Sequence, residues 1–188
     1  MKIAFIGTHG VGKTTLCFDL AARLKRRDFT LDLVKEVARD CPLPINQDTT
    51  YDAQAWILHT QIARELDAGA HNDVVICDRS VLDNYAYLVH RIGRRSELEP
   101  LIRWWMKSYT LLVKVPIWQP LRADGVRAVA ESFQRGIDAT IEDLLGDFRV
   151  KLLTLAPEDQ PRWPELVLDR LDLPPRAEQE TLFPDREA

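Results

Sequence analysis

The stretch FIGTHGVGKTTL, residues 5–16, decides the fold of this chain. Within it, Gly7-x-x-x-x-Gly12-Lys13-Thr14 has the Walker A spacing, in which glycines let successive backbone N–H groups point at phosphate oxygens. An apolar strand pattern precedes the loop, and a helical pattern follows it. The positive end of that helix dipole adds to the same concavity. The stretch therefore predicts a loop that holds a nucleoside triphosphate.

The polar groups of this loop have separate expected roles. Lys13 can reach the β- and γ-phosphates, which makes it both a binding and a catalytic residue, and the Thr14 hydroxyl can sit on a magnesium ion. We expect the side chain of His9, inside the loop, to point to solvent. The nucleotide-binding residues that the pattern predicts are Gly7, Gly10, Val11, Gly12, Lys13, Thr14 and Thr15. The expected cofactors are ATP, with GTP as the alternative, and Mg²⁺.

Composition narrows the class of protein. A chain of 188 residues with ordinary apolar and charged fractions predicts a soluble globular protein of one domain. Its net charge of −4 gives no support for broad binding to nucleic acid or anionic membranes. The three cysteines lack CxxC spacing, and Cys17 and Cys77 fall in apolar surroundings, which favours buried reduced thiols. With no signal peptide and no membrane-spanning run, we expect a cytoplasmic protein.

Apolar segments alternate with helical patterns along the chain, which predicts a parallel sheet covered by helices on both faces. Between the second and third strands, a helix is predicted to bury one apolar face. Capping-box spacing predicts helices that begin at Ser80 and Ser96. The proline- and charge-rich residues 173–188 are predicted to form a flexible or docked tail beyond a domain of residues 1–172. The predicted strands are residues 2–6, 30–35, 73–77, 110–115 and 150–155, and the predicted helix face is Ala53, Trp56, Ile57, Thr60, Ala63 and Leu66.

The residues after the third strand separate kinases from GTPases. Asp78 follows an apolar strand, where a carboxylate can hold the magnesium shell. A GTPase would have Asp-x-x-Gly here, whereas this chain has Asp78-Arg79-Ser80-Val81, and it lacks the Asn-Lys-x-Asp guanine motif. The sequence therefore disfavours a GTPase. Thr14 and Asp78 are the predicted metal-binding residues.

Asp78-Arg79-Ser80 resembles the Asp/Glu-Arg-Ser or Asp-Arg-Tyr motif of deoxynucleoside and thymidylate kinases. Segment 36–39, Glu-Val-Ala-Arg, is similar to segments of nicotinamide-riboside-kinase-like ATPases of the AAA_28 type, as are 124–127 and 133–138. The resemblance covers roughly residues 1–170 by order of motifs. It implies a three-layer P-loop NTPase fold with a five-stranded parallel sheet of order 2-3-1-4-5.

The resemblance also implies transfer of the γ-phosphoryl group of ATP to a small acceptor under a mobile lid, about residues 118–130. Glu36 would take the proton of the acceptor hydroxyl, since it lies where ligands of open parallel sheets bind. Arg79 would face the acceptor or the transferred phosphoryl group. Arg122 and Arg127 would close from the lid on the developing charge. A solvated glutamate and surface arginines are the alternatives at these positions.

The acceptor pocket is expected between the Glu36 loop, the helix near Tyr51 and the helix after Ser80. Gln54 is the counterpart of a base-reading glutamine in the resembled kinases, and Asn84 is a further lining residue. The predicted substrate-binding residues are Arg39, Tyr51, Gln54 and Tyr85.

The sequence is thus interpreted as an ATP- and Mg²⁺-dependent phosphotransferase acting on a nucleoside- or nucleotide-like acceptor. Two alternatives stay open. One is a polynucleotide 5′-hydroxyl kinase, because those enzymes place an acid and an arginine at a spacing like Glu36 and Arg39; the acidic net charge weighs against nucleic acid. The other is a nucleotide-binding regulatory switch of the ATPase or GTPase type. The expected partner is the small acceptor, with a homodimer as an open alternative and no membrane.

Overall fold

Five short strands form one parallel sheet in the computed structural model, which describes residues 1–45, 48–120 and 131–173. Their order is β2-β3-β1-β4-β5, as the sequence predicts. β1 and β3 at the centre are apolar throughout most of their length because helices cover both faces. The strands are β1 Lys2–Ile6, β2 Leu31–Val34, β3 Val74–Cys77, β4 Leu111–Lys114 and β5 Leu153–Thr154.

Six α-helices pack on the two faces of this sheet among the described residues. One core lies under α2, α3, α4 and α5, and the other lies under α1 and α6. Two short 3₁₀ helices, Val37–Asp40 and Pro157–Arg162, follow β2 and β5. The α-helices are α1 Lys13–Lys25, α2 Tyr51–His71, α3 Val81–Ile92, α4 Glu99–Met106, α5 Glu131–Phe148 and α6 Trp163–Leu168.

The last strand is shorter than the predicted residues 150–155. The Val150 N–H donates to the carbonyl of Leu145, so this residue closes the end of α5 instead of joining the sheet. β5 is also an edge strand that pairs only with β4. Two paired residues remain of the six that the sequence predicts.

The predicted apolar face of α2 is only partly right. Ala53 and Ile57 are buried, but Ala63 is exposed and Leu66 is 60% exposed. The buried face instead includes the polar residues Gln54, Gln61 and Glu65, whose side chains form hydrogen bonds inside the protein. The buried residues of α2 are Ala53, Gln54, Ile57, Leu58, Gln61, Glu65 and Ala68.

One of the two predicted capping boxes forms. Ser80 accepts from the backbone of Asp83, and the Asp83 carboxylate accepts from the backbone of Ser80. The box predicted at Ser96 is wrong, because α4 begins at Glu99 with Leu98 as its N-cap. The Glu99 carboxylate is instead engaged by the side chains of Arg94 and Tyr85.

The cysteines are free thiols, and Cys17 and Cys77 are buried as predicted. No helix in the described part of the chain combines the length and apolar character that a membrane crossing needs. Most of the predicted lid and nearly all of the predicted tail, residues 121–130 and 174–188, lie outside the described residues.

Candidate active site

The loop between β1 and α1 has the backbone that the Walker A pattern predicts. Gly7 has φ +152°, and a Cβ at this position would lie 2.6 Å from the carbonyl oxygen of Val115 at the end of β4. Gly12 has φ +93° and is the N-cap of α1. Side chains rarely adopt these backbone angles, so glycine is required for the loop to lie this close to the sheet.

Lys13 opens α1 and lies across the loop. Its Nζ donates to the carbonyl oxygens of Gly7 at 2.7 Å and Thr8 at 2.6 Å. Burial and the nearby charge of Arg79 lower the pKa of Lys13 to about 8, against the opposing effect of Asp78. The lysine ammonium is therefore held in a poorly solvated position beside the backbone N–H groups of the loop, where an anionic ligand would stabilise its charge.

The two predicted metal ligands are in contact. The Thr14 hydroxyl donates to Oδ2 of Asp78 at 2.5 Å, and Asp78 is 2% exposed. Hydroxyl and carboxylate oxygens fit Mg²⁺, which is bound through one or two protein oxygens and keeps water and phosphate ligands. Among residues 1–45, 48–120 and 131–173, no cluster of three or more His, Cys, Asp or Glu side chains could hold a metal.

A buried ion pair lies beside this site. The Arg79 guanidinium donates from Nε at 2.8 Å and forms an ion pair from Nη2 at 2.6 Å, both to Oε1 of Glu36. Burial lowers the pKa of Arg79, but Glu36 together with Tyr87, Asp83 and Asp78 raises it well above its usual range. Arg39 adds a 2.9 Å bond to the other oxygen of Glu36, and its own side chain is 41% exposed. The structure thus joins three residues that the sequence predicts for catalysis and acceptor binding.

Arg79 combines an unusual backbone conformation with a buried side-chain nitrogen that lacks a described partner. Its φ is +121°, which is uncommon for a residue with a side chain. Its Nη1 is buried without a hydrogen-bond partner among the described residues. A buried guanidinium nitrogen without a partner is costly, so this group is available to a ligand oxygen.

His9 is 3% exposed, so the prediction that its side chain points to solvent is wrong. Its Nδ1 lies 3.1 Å from the hydroxyl of Tyr87, and the rings of Tyr87 and Phe133 pack against its imidazole. The Tyr87 hydroxyl also accepts from Nη2 of Arg79 at 3.4 Å. These contacts connect the phosphate loop with the Glu36–Arg79 pair.

Two residues that the sequence analysis did not assign to the site hold the loop. The Asp83 carboxylate accepts from the Gly7 N–H at 2.9 Å and from the Ser80 N–H at 2.8 Å. Gln134 on α5 donates from Nε2 to the His9 carbonyl at 2.8 Å. The capping-box spacing identified Asp83 as a helix cap only, and nothing local in the sequence signals its second bond, 76 residues away.

The predicted acceptor-side residues separate into two groups. Gln54 is buried and donates to the Thr49 hydroxyl at 2.8 Å, and Asn84 is buried with no partner for Nδ2 among the described residues. Tyr85 is in the core, where its hydroxyl donates to Glu99 at 3.0 Å, and Tyr51 is exposed beneath the Arg95 guanidinium. The described contacts of the two tyrosines do not include the residues of the phosphate loop.

The predicted lid arginines, Arg122 and Arg127, lie outside the described residues. Arg135 on α5, a weaker candidate, is exposed. Trp118, at the start of the predicted lid, donates from its indole nitrogen to the Val11 carbonyl at 2.9 Å. The sequence analysis did not identify this contact, because the two residues are 107 positions apart.

A cavity of about 360 Å³ adjoins the start of α1. Gly12, Thr15 and Trp118 form its side next to the phosphate loop, and Trp163 and Gln160 form the side next to the segment after β5. The Trp163 indole nitrogen donates to the Ala156 carbonyl at 2.8 Å. The cavity is thus continuous with the loop at the residues that begin α1, and it has aromatic and amide walls.

The family model described as an AAA domain, AAA_28, matches residues 2–162. The chain belongs to this family. Three solved structures of deoxyadenosine kinase from M. mycoides resemble this AAA domain. With dATP bound, that kinase has 17% identity and a TM-score of 0.64, covering 92% of this chain and 100% of the kinase.

The structure of that kinase with the products dCMP and a flexible dCDP bound has 17% identity to this chain and a TM-score of 0.64. This match covers 90% of this chain and 98% of the kinase. With dCTP bound, the identity is 16% and the TM-score is 0.63, with the same coverage. The AAA domain therefore has a P-loop nucleoside and nucleotide kinase-like fold. No curated protein matches the chain.

Proposed function

We propose that this AAA domain transfers the γ-phosphoryl group of ATP, with Mg²⁺, to the hydroxyl of a small nucleoside- or nucleotide-like acceptor. One observation carries the proposal: the Glu36–Arg79 pair lies beside the Thr14–Asp78 contact at the carboxyl edge of the sheet. A phosphate loop alone would fit many NTPases. A buried carboxylate and guanidinium next to it provide the two groups that an acceptor hydroxyl and a moving phosphoryl group require.

The donor nucleotide would lie along the start of α1. Its phosphates would meet the backbone N–H groups of the loop and the ammonium of Lys13. The cavity lined by Thr15, Trp118 and Trp163 would receive its base, because aromatic walls suit a planar ring. The deoxyadenosine kinase structures with dATP and dCTP support nucleotide binding by this fold.

Thr14 and Asp78 would hold the magnesium ion. When bound, the ion would neutralise charge on the β- and γ-phosphate oxygens. The residues fit, because both donors are oxygens and Asp78 is fixed by its place directly after β3.

Transfer would form a bond between the acceptor oxygen and the γ-phosphorus and break the bond from that phosphorus to the oxygen of ADP. The hydroxyl proton would pass to the Glu36 carboxylate. Arg79 would hold that carboxylate in position and offer its Nη1 to the transferred group. Phosphoryl transfer depends mostly on positioning and charge stabilisation, so a carboxylate engaged by arginines can still serve as the base.

The acceptor would lie between the 3₁₀ helix after β2, α2 and α3. Asn84 supports this placement, since a buried amide nitrogen without a described partner can donate to a base edge. Gln54 lies on the facing helix, although Thr49 already accepts one of its N–H groups. Arg39, which is part of the same ion pair and half exposed, would face the open end of the pocket.

The proposal is tested by phosphoryl transfer from γ-labelled ATP to a panel of ribonucleosides, deoxyribonucleosides, their monophosphates and nicotinamide riboside. We expect labelled product with at least one acceptor, and loss of that product in Lys13→Ala. The control variant Lys25→Ala removes an exposed lysine at the other end of α1 and should keep full activity.

Two other outcomes would replace this proposal. Transfer only to a 5′-hydroxyl oligonucleotide would indicate a polynucleotide kinase. ATP binding with slow hydrolysis and no transfer to any acceptor would indicate a regulatory switch.

A further inference from the structure

A positively charged groove lies at the edge of the sheet opposite the phosphate loop. It consists of two adjoining cavities of about 420 and 460 Å³ at the amino ends of β4 and β5. Both cavities are lined by Tyr109, Leu112 and Lys151, so they form one surface. One end of this surface is at Arg170, just after α6, and the other is at Arg103 on α4.

The charge of this groove is unusual for a chain whose net charge is −4. Among the described residues, no acidic side chain lines either cavity. Four of its five cations form no ion pair with any described residue, and Arg103 lies over the Phe148 ring at 3.7 Å with a 3.5 Å contact to Glu99. The five cations are Arg103, Lys107, Arg149, Lys151 and Arg170.

The floor of the groove is apolar. Its first cavity is lined by the apolar side chains of Met106, Leu112, Phe148 and Val150. An occupant that fits would combine acidic groups for the rim with apolar side chains for the floor, since burying only one kind would leave the other unsatisfied.

The segment of this chain after Leu173 has that composition. It carries four acidic residues and two arginines, which gives a charge of −2 from its side chains. Leu182 and Phe183 are adjacent large apolar residues that lie between the acidic residues Glu180 and Asp185. The segment starts four positions after Arg170, which lines the near end of the groove.

We propose that residues 174–188 bind in this groove, with their acidic side chains on its cations and Leu182 and Phe183 on its apolar floor. The nine residues from Leu173 to Leu182 can extend about 30 Å, which exceeds the width of a small cavity several times. Tethering raises the effective concentration of the segment to the millimolar range, so modest contacts suffice. The bound segment covers the exposed edge strand β5, which has only two paired residues.

Hydrogen exchange of the whole chain, read by mass spectrometry over residues 177–187, tests the proposal. We expect amides in this segment to exchange more slowly than in an unstructured peptide. The double variant Arg149→Glu/Lys151→Glu should speed their exchange about ten-fold, because it removes two pairings and adds repulsion. Raising the salt concentration to about 0.5 M should also speed the exchange of these amides, because salt screens the charge pairs.

The matched control is Arg26→Glu/Arg27→Glu, which reverses two exposed cations after α1 that are not among the residues lining the two cavities. It should leave the exchange of residues 177–187 unchanged, and thermal unfolding of both variants checks that the domain stays folded. Carbodiimide cross-linking should also join Lys107 or Lys151 to an acid among residues 178–187 within a single chain.

Exchange at the rate of an unstructured peptide in the parent protein would overturn the proposal. Cross-links that appear only between two chains would also overturn it, in favour of a second copy as the occupant. Protection that appears only after a phosphate-rich ligand such as an oligonucleotide is added would do the same.

Discussion

Two buried carboxylates lie at opposite edges of the sheet, and their surroundings differ. Glu65, at the amino edge, accepts four hydrogen bonds of 2.7–2.8 Å from side chains spread over the fold. Glu36, at the carboxyl edge, is held by Arg79 and by the half-exposed Arg39. The four donors to Glu65 are Lys2, Gln61, Trp105 and Tyr109.

The comparison distinguishes a carboxylate that stabilises the fold from one that lies beside a candidate ligand-binding group. Each oxygen of Glu65 accepts two hydrogen bonds from the protein, so the hydrogen-bonding capacity of this carboxylate is used within the fold. Beside Glu36, Arg79 keeps one buried nitrogen that has no partner among the described residues, and its backbone has a positive φ. The unpaired buried nitrogen and the strained backbone support the ligand-binding role that we propose for Arg79.

The largest effect that we expect on stability comes from Glu65→Ala. Removing this carboxylate leaves Lys2, Trp105 and Tyr109 without their acceptor, which should cost about 3–5 kcal/mol of unfolding free energy. Urea unfolding measures it. Glu142→Ala is the control, because this acid is 60% exposed beside Lys114 and should cost about 1 kcal/mol or less.

Phosphoryl transfer per folded molecule should survive Glu65→Ala. If instead the variant kept its stability and lost its activity, the distinction between the two carboxylates would be wrong.

The second prediction concerns Arg79→Lys. Lysine keeps the charge but cannot contact Glu36 and a phosphoryl oxygen as a planar fork, so the transfer rate should fall about 10²–10³-fold. Thermal unfolding should change far less than in Glu65→Ala. Arg64→Lys, in an exposed ion pair with Asp40, is the matched control and should leave the rate unchanged. Equal rates in both variants would remove Arg79 from the catalytic site.

The smallest effect is expected at the pair of Arg94, whose side chain is 43% exposed, and Glu99, whose side chain is 17% exposed. Its hydrogen bond from Arg94 lowers the pKa of Glu99, against the opposing effect of burial, and Tyr85 lowers it further. A lowered folded pKa stabilises the protein above the ordinary pKa of 4.5 and is lost as the pH falls. Glu99→Gln should therefore cost about 0.5 kcal/mol at neutral pH, and progressively less as the pH falls below the ordinary pKa of the carboxyl group.

Urea unfolding of the two proteins at several pH values measures this difference. A cost that persists undiminished at the lowest pH would mean that packing, and not the carboxylate charge, is responsible.

The sequence predicted the features that depend on neighbouring residues. The Walker A spacing identified the loop, the apolar segments identified all five strands, and Ser80 identified the start of α3. The residues Glu36, Asp78 and Arg79 follow strand ends, so their meeting at one edge followed from the predicted parallel sheet.

Features that depend on distant contacts were missed. Glu65 lies in the middle of a helix, where an acid usually faces solvent, and its burial depends on donors 40 or more positions away in the sequence. His9 was predicted to point to solvent, but Tyr87 on α3 and Phe133 on α5 pack against its side chain. The capping-box spacing indicated a capping role for Asp83, but it gave no sign of the hydrogen bond that Asp83 accepts from the Gly7 N–H.

The most direct test of the central claim compares transfer and hydrolysis in Glu36→Gln. With γ-labelled ATP and the best acceptor, the parent protein should move most of the label to the acceptor and little to water. Glu36→Gln should lower the transfer rate about 10²–10⁴-fold, while ATP affinity, measured by calorimetry, stays within about two-fold. Label released only as free phosphate by the parent protein, or an unchanged transfer rate in the variant, would contradict the account.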